Sequence, residues 1–323
     1  MALHTLTYLG TGAEHDVGSV PFSSELVWVG TGDITGTDEL TVWSHPAIQP
    51  DQSFYFANGT LYADILVAIN SDGFRVGAVV GVWPPDWDDS MTVNISGVTY
   101  HAICLAGSEI AVGTYVGDGT ADLPISGLGF APELVIAGRH GNFVPLQRHT
   151  NMPAGDSYVA RGTPFSGIPA YNPLTNGIKS LDADGFTVGN HASVNGNGAP
   201  HSYIAFNTIA GAVAFGTYSG NGAQDREISV GFRAGFVWLF GLRASNVTEM
   251  VCWRSNTMAG NRSLGFVNGA DVGGAWVTHG VRGLTEDGFI VGDATPGERM
   301  NISGDTYYWM AIIGAAGPYG GWF

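Results

Sequence analysis

The sequence predicts an all-β fold, built as three tandem β-sandwich (jelly-roll-like) domains of about 100 residues each. Three observations predict it. The chain contains the same set of landmarks three times. Its 49 glycines in 323 residues punctuate short runs of Val, Ile, Phe, Tyr and Trp. No stretch carries a sustained helical period. Glycine is about twice as frequent as the usual ~7%, while 45% of the chain is hydrophobic. That combination means many tight turns around sizeable cores, and it excludes collagen and disorder.

The first landmark is Tyr-x-Gly, at Tyr8, Tyr115 and Tyr218. The second is Asp-Gly-Phe followed two residues later by Val-Gly, at Asp72, Asp184 and Asp287. A closing aromatic-apolar strand follows: Tyr100-His101-Ala102-Ile103, Tyr203-Ile204-Ala205-Phe206 and Trp309-Met310-Ala311-Ile312. A weaker mark lies mid-unit, at Gln52-Ser53-Phe54, Asp156-Ser157-Tyr158 and Arg262-Ser263-Leu264. The period is too long for a solenoid, whose repeats run to about 50 residues, and it matches a small domain. The units are placed at 1–106, 107–211 and 212–323, the last with a Gly-rich tail. The joints are short and lack Pro or Ser-rich spacers, so the domains are expected to pack in a fixed relation.

Within unit one, Leu26 to Val29 reads as a buried strand and Glu39 to Ser44 alternates like a half-buried one. Ser53 to Phe56 and Ile65 to Ile69 follow, and Asn70-Ser71-Asp72-Gly73 supplies turn residues that tolerate positive φ. The segment Trp83-Pro84-Pro85-Asp86-Trp87-Asp88-Asp89 has no counterpart in the other units and reads as a loop. Unit two carries a polar Gly155 to Ser180 stretch read as loop. No helix is predicted; the best candidate, Ala244 to Cys252, has a cap signal but poor apolar spacing.

Charge is sparse and acidic: 12 basic against 28 acidic residues, a net charge of −16, with Lys179 the only lysine. A phosphate-gripping surface needs basic side chains, so no nucleic-acid partner is expected, nor an anionic membrane surface. No apolar stretch approaches the ~18 residues of a membrane span. The N-terminal segment has neither basic nor apolar signal-peptide regions, so synthesis in a cytoplasm is expected. Cys104 and Cys252 fall in apolar runs at non-equivalent places and read as free buried thiols.

Each motif with functional potential has a plainer structural reading. Gly30-Thr31-Gly32-Asp33 follows a strand, but no helix comes next, so it is a hairpin turn rather than a dinucleotide loop. Asp182-Ala183-Asp184-Gly185 opens like a calcium loop but lacks the distal glutamate. His140, His149 and His191 read as surface or turn histidines. The Asn-x-Ser/Thr matches, Asn94 and Asn301 among them, read as polar turns. Asp86, Asp88 and Asp89, beside Trp83 and Trp87, are the candidates for a surface contact with a glycan ring or a cation. No G-x-S-x-G elbow, metal-ligand spacing or unique carboxylate pair is present, so no catalytic, cofactor or metal residue is assigned.

Unit two, from Gly113-Thr-Tyr-Val-Gly-Asp-Gly through Ile125-Ser-Gly-Leu-Gly-Phe-Ala-Pro to Asp184-Gly-Phe-Thr-Val-Gly and Tyr203-Ile-Ala-Phe, resembles a repeat of virion surface proteins of tailed bacteriophages, both tail-fibre-like and head-decorating. Unit three keeps most of it, with Phe232-Arg233-Ala234 where Phe-x-Pro is usual, and unit one keeps least. The resemblance implies a non-enzymatic virion protein, contacting capsid or tail proteins and a host surface glycan, and assembled as a homotrimer. A carbohydrate-binding, lectin-like protein outside any virion is the alternative expectation.

Overall fold

In the computed structural model the described residues are 1–31, 41–56, 59–78, 92–141, 143–160, 173–242, 251–266, 275–292 and 300–314. Unit one contributes β1 (Ala2–Leu9), β2 (His15–Val17), β3 (Leu26–Gly30), β4 (Thr41–Ser44), β5 (Gln52–Tyr55), β6 (Leu61–Ala63), β7 (Leu66–Asn70), β8 (Gly73–Val76) and β9 (Thr99–Ala106). They form a large sheet in the order β1-β9-β3-β4-β5-β6 and a small sheet β2-β8-β7. Unit two follows with β10 (Ile110–Val116), β11 (Leu123–Ser126), β12 (Leu134–Arg139), β13 (Leu146–His149), β14 (Tyr158–Val159), β15 (Ile178–Asp182), β16 (Gly185–Val188), α1 (Ala192–Asn195) and β17 (Pro200–Phe206). Its sheets are β10-β17-β12-β13-β14 and β11-β16-β15.

Unit three comprises β18 (Val213–Ser219), β19 (Arg226–Ser229), β20 (Ala234–Leu242), β21 (Val251–Ser255), β22 (Ser263–Phe266), β23 (Ala275–Val277), β24 (Val281–Leu284), β25 (Gly288–Val291) and β26 (Thr306–Ile313). It repeats the order as β18-β26-β20-β21-β22-β23 and β19-β25-β24. All pairings are antiparallel. The protein is therefore all-β, with three sandwich-like units. The jelly-roll-like expectation is refined: successive strands β3 to β6 lie side by side as a meander in one sheet.

Each large sheet is buried on both faces. In β3, Val27 and Val29 join unit one's own core with Phe74 and Val76 of the small sheet. Leu26 and Trp28 point the other way, into a fourth core shared by all three units. The same alternation sends Val135 inward and Leu134 and Ile136 to the shared core, and Val237 inward and Phe236, Trp238 and Phe240 to the shared core. Period-two alternation normally leaves one face polar; here both faces meet protein. This corrects the half-buried reading of the strand at Thr41–Ser44, every residue of which is buried.

The three seams between units use the same surfaces in cyclic order. Unit one offers Trp28 and Gly30 of β3 to unit three: Trp28 packs on Trp253 at 6.2 Å, and a Cβ on Gly30 would stand 2.7 Å from Trp253 Cζ2. Unit three offers Trp238 of β20 to unit two, its Nε1 donating to Gln147 Oε1 at 2.9 Å. Unit two offers Gly138 of β12 to unit one, where a Cβ would meet Phe54 Cζ at 2.6 Å. Each time the β3-type strand of one unit meets the meander strands of the next. A heterologous contact of this kind closes a ring when its rotation allows, and three units close this one.

The candidate helix ends inside a strand, since Val251 and Cys252 begin β21; residues 243–250 lie outside the described ones. The stretch read as the loop Gly155 to Ser180 contains β14, whose buried Tyr158 and Val159 form the last strand of the meander, and the start of β15.

Candidate functional site

The landmarks of the repeat converge at one end of each sandwich. The tyrosine of Tyr-x-Gly lies near the end of the first strand. Its hydroxyl donates to the carbonyl of Val93 (2.7 Å) in unit one, Val194 (2.6 Å) in unit two and Met300 in unit three. The next residue in each case is a buried asparagine: Asn94, Asn195 and Asn301. The tyrosine ring also stacks on a ring of the last strand, Tyr8 on Tyr100 at 5.2 Å, Tyr115 on His201 at 4.9 Å and Tyr218 on Tyr307 at 4.9 Å. That second ring accepts the backbone N–H after the asparagine: Ile95 N to Tyr100 Oη (3.0 Å), Gly196 N to His201 Nε2 (3.3 Å), Ile302 N to Tyr307 Oη (2.9 Å).

The asparagines tie this loop to the turn after Tyr-x-Gly. Asn195 accepts from the N–H of Asp118 (2.8 Å) and Gly119 (3.2 Å), and donates to Thr120 O (2.9 Å) and Asp118 Oδ1 (3.2 Å). Asn301 accepts from Asn221 N (3.0 Å) and donates to Asn221 Oδ1 (2.9 Å) and Ala223 O (2.7 Å). Asn94 accepts from Thr11 N (2.9 Å) and donates to Ala13 O (2.7 Å) and Gly77 O (2.6 Å). Glycine is required beside them. A Cβ on Gly10, Gly117 or Gly220 would lie 2.1, 2.4 or 1.8 Å from the carbonyl oxygen of Ile95, Gly196 or Ile302. Gly12, Gly119 and Gly222 hold φ of 79°, 71° and 73°, the left-handed region that L side chains rarely occupy.

This triad of tyrosine, ring acceptor and asparagine makes a fixed base at one end of each unit. Burial pushes the three tyrosine hydroxyls well above their ordinary range, Tyr100 up to about 12, and His201 down to about 4. The tyrosine hydroxyls and asparagine amides of the triads bond mostly to backbone, which fixes the connecting turns in place. Described residues bordering 32–40, 161–172, 243–250 and 267–274 lie at this same end: Gly30 pairs with His101, Leu146 with Val159, Leu242 with Thr306, and Val251 with Phe266. The joints lie at the other end, where Leu26 pairs with Leu105, Leu134 with Phe206 and Phe236 with Ile312.

Trp83, Asp86, Trp87, Asp88 and Asp89, the sequence-predicted contact residues, lie outside the described residues. Asp184 is a turn residue: its carboxylate accepts from Gly129 N (2.6 Å) and Gly127 N (3.1 Å). The glycine after it does not use positive φ, contrary to the turn argument. A Cβ on Gly73, Gly185 or Gly288 would instead strike the neighbouring strand, at 2.0, 1.9 and 2.0 Å from the carbonyl oxygens of Val17, Ile125 and Ile228. The mid-unit serine explains the weaker mark: Ser53, Ser157 and Ser263 accept from Leu66 N (2.9 Å), Ile178 N (3.0 Å) and Val281 N (3.1 Å), joining the two sheets.

The surface reading of the histidines is corrected for His149, which is buried at the end of β13 in the seam with unit three. Its Nδ1 accepts from Asn151 N (3.1 Å), which leaves the proton on Nε2, 3.2 Å from the carbonyl of Trp309. His45 holds the equivalent place in unit one, its Nδ1 accepting from Ala47 N at 3.2 Å. Cys104 and Cys252 are free and buried, their thiols pushed up to about 12 by burial. Among the described residues, no three His, Cys, Asp or Glu side chains group as a metal site, and no helix is long and apolar enough to cross a membrane.

Sequence reasoning missed Asn195 altogether and took Asn94 and Asn301 for simple polar turns. The available signal was an asparagine six residues before the stacked ring in each unit: Asn94 before Tyr100, Asn195 before His201 and Asn301 before Tyr307. The chain matches no protein-family model, no curated protein and no solved structure.

Proposed function

We propose that this chain is a non-enzymatic surface protein of a tailed-phage virion, acting as a rigid platform that presents one end for contact. One observation supports this reading most: the same buried triad recurs three times at the same end of a closed ring. Recurrent anchoring of connecting segments suits a binding or decorating role, since loops carry recognition when a rigid scaffold fixes their bases. The acidic balance of −16 favours solubility and disfavours genome contact. The partners of this reading are capsid or tail proteins, with a host surface glycan as a further ligand.

The test is location. Gold-labelled antibody on particles from the source should mark the head, for a decorating role, or the tail, for adsorption. Particles without label, with the protein free in solution, would contradict the reading. The lectin-like alternative draws on Trp83 and Trp87 in a segment unique to unit one. Glycan-array binding that is lost on Trp87→Ala would favour it.

A further inference from the structure

The three seams differ at one equivalent position. Two residues beyond Trp43, Gln147 and Trp253, which hold matching places opposite the β3-type strands, stand His45 in unit one, His149 in unit two and Ser255 in unit three. Both histidines are fully buried and held the same way. His45 Nδ1 accepts from Ala47 N (3.2 Å), and His149 Nδ1 accepts from Asn151 N (3.1 Å). The one proton of each neutral ring therefore sits on Nε2. A second proton must go to Nδ1, against a backbone N–H, and so pushes the ring off its turn. Each of these turns is the part of its unit that meets the next. The 3-10 turn Pro46–Ile48 packs on β10 of unit two. His149 touches Phe215 of β18 (5.8 Å), Phe240 of β20 (6.3 Å) and Tyr308 of β26 (5.4 Å), all in unit three. At the third seam Ser255 bonds Thr257 Oγ1 (2.7 Å), which meets His101 Nδ1 of unit one at 2.9 Å. A hydroxyl can turn to accept from a charged ring, so no such conflict arises there.

We propose that the ring carries an acid-operated latch: protonation of His45 and His149 breaks both seams of unit two, which swings out on its joints while units one and three stay docked. The surroundings do not stabilise the charges. Facing His45 from unit two is His140, itself able to become a cation, whose Nε2 lies 2.7 Å from Ser202 Oγ. The strand β10 has no charged side chain, and Asp51, beyond the turn, accepts from Asp64 N (2.9 Å). Facing His149 are two phenylalanines and Tyr308, whose hydroxyl burial keeps neutral. Arg148 gives its guanidinium to the carbonyls of Pro153 and Asp156, and the Asp156 carboxylate acts on Arg148 and Tyr308 rather than on His149. Glu133, at the head of β12, meets Thr150 through its backbone carbonyl, and its carboxylate has no effect on His149. Burial lowers both histidines to about 4, so the closed state is held above about pH 6.5 and weakens as pH falls toward 4. Per ring, opening gains on the order of 10²-fold at pH 4.

Paired spin labels on the full chain test this. Ser71→Cys, Ala183→Cys and Glu286→Cys are exposed and equivalently placed before Asp-Gly-Phe, and their three pairings span the three seams. From pH 7 to pH 4 the 71–183 and 183–286 distances should lengthen and broaden. The 71–286 distance and the far-UV signal of the sandwiches should hold. With His45→Gln/His149→Gln added, all three distances should hold at pH 4. Three unchanged distances with the native histidines would overturn the proposal. So would broadening of the 71–286 pair, loss of the β signal together with opening, or the same opening in the glutamine variant. If that variant does not fold, the three distances with the native histidines still decide the case.

Discussion

Asn195 shows most clearly how single residues hold this protein. Its amide uses both donor and acceptor sides on the turn at Asp118 to Thr120. Asn195→Asp would replace the donor by a carboxylate facing Asp118 Oδ1. Two buried donors' worth of bonding would be lost and a like charge added, so the expected destabilisation is about 2–4 kcal/mol, read from denaturant midpoints. The milder Tyr115→Phe, which removes only the bond to Val194 O, should cost about 1–2 kcal/mol. The tyrosines and glycines of these triads were legible in the sequence, because both leave a fixed spacing. The asparagines keep a fixed spacing before the stacked ring as well, but their role depends on a contact roughly eighty residues away in the chain (Asn221 with Asn301, Asp118 with Asn195) that spacing alone does not reveal.

Histidine gives the residue scale its pH dependence. Burial lowers His45 and His149 from 6.5 to about 4, with the charge of His140 adding to the effect at His45 and the bond to Trp309 O opposing it at His149. The unfolded chain therefore binds more protons between these values. Stability is complete above about pH 6.5 and is lost as pH falls toward 4, by on the order of 3 kcal/mol per histidine. Acid titration of the unfolding midpoint should show this, and His149→Gln, which cannot titrate, should flatten the part of the slope that His149 contributes.

At the scale of elements, the large sheets were read correctly as strands but not as strands buried twice. A run such as Leu26-Val27-Trp28-Val29 reads as apolar throughout, which identifies burial without saying against what. The shared core supplies the answer for its second face. The closing-strand alignment also shifts. Register pairs Tyr8 with Tyr100 and Tyr115 with His201, so Tyr203 corresponds to Ala102, two residues from the sequence match. A two-residue slip keeps the same face of the sheet, which is why the apolar pattern could not expose it. The seam between units two and three can be measured by a double-mutant cycle on Gln147→Leu and Trp238→Phe. The buried hydrogen bond between them predicts a coupling energy of about 1–2 kcal/mol; additive effects would mean that the two strands do not meet.

For the whole molecule, the short joints at 106–109 and 209–212 anticipated a fixed packing, but not a ring. Nothing local in Trp28, Trp238 or Phe56 marks them as partners, yet Trp28 lies 5.0 Å from Trp238 and Phe56 lies 5.6 Å from it. Such contacts join positions some two hundred residues apart, and a repeat read from one sequence carries no information on how its copies face each other. The ring makes the three sandwiches one body. The measurement that tests this most directly is small-angle X-ray scattering of the purified chain at neutral pH. A single compact body of 323 residues should have a radius of gyration of about 20 Å. Three separate ~13 Å domains in a line would instead give about 25 Å or more, and that value for a monomeric sample would contradict the shared core.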